Sequence, residues 1–237
     1  MTIEKLFFFH LPKAGGTSII SALKQNRAAT IAPLIENNAL DHSTLDKNYE
    51  PFKGYDVYAG HYGRDVFEAV NDGHAAVTNF RHPVARISSL YRYFRYAVPL
   101  EPHQLEAPHH KAVRLAKTAS FEDFTASTDE DVRKYTSDFH FRQLCCSPWE
   151  SECGDTMASA KDFIHLMPCV FICEYPAQSS ALFRNILGVP DIDRLNTGGD
   201  DTSDDPVTRN AVENILSMNK KDLDIYDFAI RHFLPNA

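Results

Sequence analysis

Short apolar runs recur along the chain, each ending at a glycine, a proline or a charged side chain and most leading into apolar residues spaced three or four apart. Lys5 to His10 is one such run; Pro12, Gly15 and Gly16 follow it, and then Ile19, Ile20 and Leu23 lie in helical spacing. This predicts strand, loop, helix. Tyr55 to Gly60 and Ala75 to Phe80 predict two more buried strands, ending at His61 and Arg81. Pro83 suits the first position of a helix, because its missing N–H costs nothing there, and Val84, Ile87, Tyr91, Phe94 and Val98 form one apolar face up to Pro99.

The second half reads as mainly helical. Residues 101–117 are rich in His, Pro and charge and predict a loop or irregular lid, whereas 120–165 predict helices. Pro168 to Cys173 predicts a fourth strand, Gln178 to Leu187 a helix closed by Gly188, and 207–233 further helix. Residues 196–205, with two glycines and four aspartates, predict a mobile surface loop. Strands alternating with helices imply an α/β fold with a parallel β-sheet flanked by helices, whose ligands bind beyond the carboxyl ends of the strands. A single domain over residues 1–237 is the expectation for this length.

Composition narrows the function. A formal charge of -8 argues against general binding to nucleic acid, so any anion site is local. No apolar run approaches the roughly 20 residues that span a bilayer, and the first residues lack an h-region, so a cytoplasmic protein is expected. Five cysteines without a regular framework suit reduced thiols. Cys145 and Cys146 with Cys153 do not match the common zinc spacings, and buried thiols are expected there rather than a metal. His103, His109 and His110 are expected to be solvated.

The segment His10-Leu11-Pro12-Lys13-Ala14-Gly15-Gly16-Thr17-Ser18 joins a strand to a helix through a glycine-containing turn, which presents backbone N–H groups and the helix dipole to an anion. It is not the Walker loop, because Lys13 precedes the glycine pair. It resembles the 5′-phosphosulfate loop of the carbohydrate sulfotransferases, particularly the heparan sulfate 2-O and 6-O branch, which commonly has Thr at the position of Ala14. The segment Arg81-His82-Pro83-Val84-Ala85-Arg86-Ile87-Ser88-Ser89-Leu90-Tyr91 is similar to that family's 3′-phosphate segment, with Arg81 and Ser89 at its two phosphate-contacting positions. Tyr58 to Arg64 resembles the segment that carries the 2-O enzymes' catalytic histidine, here His61. Weaker likeness continues at Val170 to Glu174 and at Asp222 to Ala229.

The resemblance implies a P-loop-like fold and a sulfotransferase that moves a sulfuryl group from 3′-phosphoadenosine 5′-phosphosulfate to a hydroxyl, preferably of a saccharide acceptor. It implies His61 as general base and Lys13 as stabiliser of the leaving phosphate. Lys13, Ala14, Gly15, Gly16, Thr17, Ser18, Arg81 and Ser89 would hold the donor, with no metal. A histidine near its usual pKa of about 6.5 is chemically able to take the acceptor's proton. Glu174 is expected to be structural or substrate-orienting, Tyr226 to pack in the core, and Arg92 and Arg95 to face solvent. Two alternatives remain: a P-loop kinase, which needs a magnesium ligand and the Walker order, and a non-catalytic nucleotide-binding module.

Overall fold

The computed structural model describes residues 3–26, 49–101, 103, 107, 110–150, 153–189, 192 and 206–235. Four strands form one all-parallel sheet: β1 (Leu6–Phe9), β2 (Val57–Gly60), β3 (Ala75–Phe80) and β4 (Val170–Ile172), in spatial order β2-β1-β3-β4. Leu6 pairs in register with Val57 on one side and Ala75 on the other, so β1 is a central strand. The chain leaves β1 in one direction to form β2 and returns past it to form β3. The carboxyl ends of β1 and β3 therefore flank a topological switch point, where open α/β sheets place their ligands.

Alternation along β1 divides the core. Phe7 and Phe9 point to one face and pack with Tyr58, Phe67, Phe141, Ile164 and Ile225; Leu6 and Phe8 point to the other and pack with Ile19, Leu23, Phe171 and Phe183. The first face is covered by α2 (Arg64–Val70), α7 (Phe139–Cys145), α8 (Met157–His165) and α11 (Lys220–Phe233), and the second by α1 (Gly16–Asn26) and α9 (Pro176–Leu187). With helices on both faces, β1 must be apolar at every position, and all four of its residues are buried.

A third cluster stands beyond the sheet. It joins α3 (Pro83–Arg92) and the π-helical turn that continues it (Tyr93–Ala97) to α4 (Lys111–Thr118), α5 (Phe121–Ala126), α6 (Glu130–Thr136) and α10 (Arg209–Met218) through Ile87, Tyr91, Phe94, Ala116, Phe124 and Ile215. Residues 111–118 are thus helical rather than part of an irregular lid. Ala112, Val113 and Ala116 bury one stripe, and the Lys111, Arg114 and Lys117 charges on the other side had disguised it. Arg95 is not a solvated position either: its Nη1 donates to the Ala116 and Ala119 carbonyls and to the Tyr91 hydroxyl, tying α4 to the π turn. The expected loop at 196–205, His109 and most of residues 27–54 lie outside the described residues. No helix among the described residues is long and apolar enough to cross a membrane.

α7 and α11 start against each other. Asp222 accepts from the His140 and Phe141 N–H groups at the head of α7, while Asp138 accepts from the Lys221 and Asp222 N–H groups at the head of α11. Each carboxylate satisfies donors that a helix start leaves unpaired. This fixes α7 behind the ends of β1 and β2.

Candidate functional site

The loop from His10 to Gly15 carries two left-handed residues, Lys13 at φ 65° and Gly15 at φ 77°. Glycine takes that region freely, but a lysine there costs about 1–2 kcal/mol, so the surroundings must hold it. Asn79, wholly buried in β3, does most of the holding: its Oδ1 accepts from the Leu11 N–H at 2.7 Å, and its Nδ2 donates to the carbonyls of Leu11 at 3.2 Å and Ala14 at 2.6 Å. Arg81 Nη1 donates to the Lys13 carbonyl at 2.8 Å. Ala14 turns its methyl inward against Leu11 and Phe139, leaving the loop's outer surface to backbone and to Lys13.

The helix start offers donors to the same side. Ser18 and Ile19 N–H groups bond the Gly15 carbonyl, so the N–H groups of Gly15, Gly16 and Thr17 are those of the first turn with no acceptor among the described residues. Thr17 is exposed and Ser18 buried. Gly16 is required by space: a Cβ on it would lie 1.9 Å from the His10 ring.

Lys13 Nζ rests 4.1 Å above the centre of the Tyr93 ring, which the π turn carries over the loop. Burial, and then the neighbouring charges of Arg81 and Arg92, draw the Lys13 ammonium below the ordinary lysine value. Cations that repel one another beside outward N–H groups make a site for an anion. Ser89 lies two turns along α3 from Arg81, half-buried; its carbonyl accepts from the Tyr93 N–H, and its hydroxyl has no hydrogen bond among the described residues.

His61 follows β2 directly. Its Nδ1 lies 2.8 Å from the carbonyl oxygen of His10, the residue that opens the loop between β1 and α1. A carbonyl only accepts, so Nδ1 carries the proton of the neutral ring and Nε2 presents a lone pair. Burial lowers the His61 pKa below its ordinary value, although the bond to His10 works in the opposite direction. The ring is therefore neutral at physiological pH. The His10 ring packs against it, tilted by 38° with centroids 4.4 Å apart, and is itself held well below the ordinary histidine value by burial, His61 and Lys13.

Further residues, not evident from the motifs, hold these parts together. Gln143 of α7 donates to the His10 carbonyl at 3.3 Å and to the Tyr62 carbonyl at 3.0 Å, linking the loop to the turn that carries His61. Thr78 donates its hydroxyl to the Phe9 carbonyl, so His140 Nε2, 2.9 Å away, must be the donor to Thr78. Glu174, just past β4, accepts from the His82 N–H at 2.9 Å and from the buried Tyr226 hydroxyl, bonds that tie β4 to the start of α3 and to α11. The only sequence signal for Asn79 was a polar residue inside a strand that should be apolar throughout.

Known protein families give no match to this chain, and neither do curated proteins. The geometry of the site accordingly carries the functional argument.

Proposed function

We propose that the chain is a sulfotransferase that moves a sulfuryl group from 3′-phosphoadenosine 5′-phosphosulfate to a hydroxyl of a carbohydrate-type acceptor, on a P-loop-like nucleotide fold. The observation that carries this reading is the bond from His61 Nδ1 to the His10 carbonyl, which joins a neutral base to the first residue of a cationic anion loop. The bond sets the base of the β2 end beside the loop of the β1 end, and an in-line transfer to a hydroxyl calls for such proximity.

In the reaction the acceptor oxygen attacks sulfur while the bond from sulfur to the bridging phosphate oxygen breaks. The proton of the hydroxyl passes to His61 Nε2, and adenosine 3′,5′-bisphosphate leaves. Lys13 and the N–H groups of residues 15–17 stabilise the charge that grows on the bridging oxygen. Arg81 keeps one nitrogen on the Lys13 carbonyl and turns the rest of its fork, with the Ser89 hydroxyl, toward the 3′-phosphate. The β2 and β3 ends bear His61 and Arg81 rather than the carboxylate that a magnesium nucleotide calls for, which favours this donor over ATP.

Calorimetric titration tests the reading. Adenosine 3′,5′-bisphosphate should bind far more tightly than 5′-AMP, with ATP and magnesium no better than 5′-AMP. Preference for ATP with magnesium would move the protein to the kinases, and no binding of any of the three would remove the donor site.

A further inference from the structure

Three polar side chains meet behind the His61 turn in a cluster that the transfer reaction does not use. Cys145 ends α7 and is buried; Cys153 and Asp155 lie half-buried on the segment that leads into α8. The two sulfurs and a carboxylate oxygen of Asp155 all lie within 4.8 Å of one another. A tetrahedral zinc ion with bonds of about 2.3 Å to sulfur and about 2.1 Å to oxygen sets its ligand atoms roughly 3.5–3.8 Å apart. Binding requires the half-exposed Cys153 and Asp155 side chains to rotate inward to close that difference. The spacing of the cysteines matches no common zinc motif, but a metal selects ligands by their position in space, and the fold supplies that position.

The net charge of a filled site would be balanced nearby. Two thiolates and one carboxylate around a dication leave a single negative charge, and Arg64 Nη1 stands 3.9 Å from Asp155 Oδ2, buried and without a hydrogen-bond partner. Sulfur ligands with one carboxylate suit zinc better than magnesium or calcium, which prefer oxygen.

We propose that Cys145, Cys153 and Asp155 bind one zinc-class dication as a structural clamp, with solvent in the fourth position. The clamp has a definite consequence for the site. The Asp65 N–H donates to the Cys146 carbonyl at 3.2 Å, and a Cβ on Gly63 would lie 2.1 Å from that same oxygen, so the end of α7 is pressed against the turn that carries His61. Fastening residues 153–155 to Cys145 holds that backing in place. This inference stands independently of the sulfotransferase reading.

The test uses the full chain, reduced and stripped with a chelator, then titrated with cobalt and afterwards with zinc. One equivalent of cobalt should give a thiolate-to-metal charge-transfer absorption that zinc bleaches, and zinc should raise the melting temperature. Cys153→Ser and Asp155→Asn, both at half-exposed positions, should keep the circular dichroism of the parent; the first should lose most of the absorption, and the second should need at least tenfold more cobalt to reach it. No thiolate band in the parent chain would overturn the proposal. So would an unchanged band in Cys153→Ser, or a quantitative Cys145–Cys153 disulfide in protein isolated without air.

Discussion

Arg81 donates from Nη1 to the carbonyl oxygen of Lys13 at 2.8 Å, so the residue at the end of β3 holds in place the one left-handed lysine of the loop that follows β1. The two cations proposed to contact the donor are thereby set by a single backbone bond. Arg81→Lys keeps the charge but loses the planar fork that can serve the loop and a ligand at once. It should weaken binding of adenosine 3′,5′-bisphosphate about tenfold or more, as measured by calorimetry, with binding of 5′-AMP much less affected. Equal losses for the two nucleotides would remove the 3′-phosphate role.

Lys13→Ala should lower the transfer rate about 100-fold or more if Lys13 stabilises charge in the transition state. Because the ammonium rests on Tyr93 and not on a carboxylate among the described residues, the substitution strands no buried counter-charge. Circular dichroism and melting temperature should remain near those of the parent, which separates a rate effect from unfolding.

The strands and the loop between β1 and α1 were legible in the sequence because both rest on local signals: an apolar run of strand length, then a proline and glycines. Residues 75–80 were expected as a strand and form β3, and the helix begun by Pro83 does run on toward Pro99, its last turn being π-helical. Long-range partners were not legible. Asn79 holds Leu11 and Ala14 across 65 to 68 residues, and Gln143 reaches His10 across 133, distances over which periodicity is silent. α4 was hidden for a different reason: three charges and short alanines cover a stripe whose burial depends on Phe94 and Tyr91 of another element.

Asn79→Leu tests the long-range support directly. It would leave the Leu11 N–H and two carbonyls buried without partners, each costing about 1–3 kcal/mol. Urea unfolding should show a loss of about 3 kcal/mol or more. A loss within about 0.5 kcal/mol would mean that the loop holds its shape without Asn79.

Gly16→Ala should disturb the site with little effect on the rest of the fold. The new methyl would meet His10 Cδ2 at 1.9 Å and Nε2 at 2.0 Å, and the ring has Phe8 on one side and His61 on the other. Displacement of His10 toward His61 misplaces the base, and a shift near 1 Å costs about 100-fold in rate. Transfer should fall by that factor.

The buried histidines predict two responses to acid. His61→Ala should abolish transfer while leaving nucleotide binding nearly intact. In the parent chain activity should be level through neutrality and fall only below about pH 6.5, because the base must be unprotonated and burial holds its pKa below the ordinary value. Stability should respond through His140, whose pKa burial brings down to about 3, with the Arg86 charge as the lesser cause. The folded ring stays neutral while the unfolded ring binds a proton below about pH 6.5, so its contribution is lost as pH falls from there toward about 3. Asp138, raised to about 6 chiefly by burial, titrates with the opposite sign, losing stability as pH rises through that value, so comparison with a variant is needed to isolate the histidine. His140→Gln removes the titrating group and retains a donor for Thr78. Between pH 7 and pH 4 the parent should lose about 3 kcal/mol more than the variant in urea unfolding. Parallel losses in the two proteins would show that His140 gains its proton in the folded state as readily as in the unfolded one.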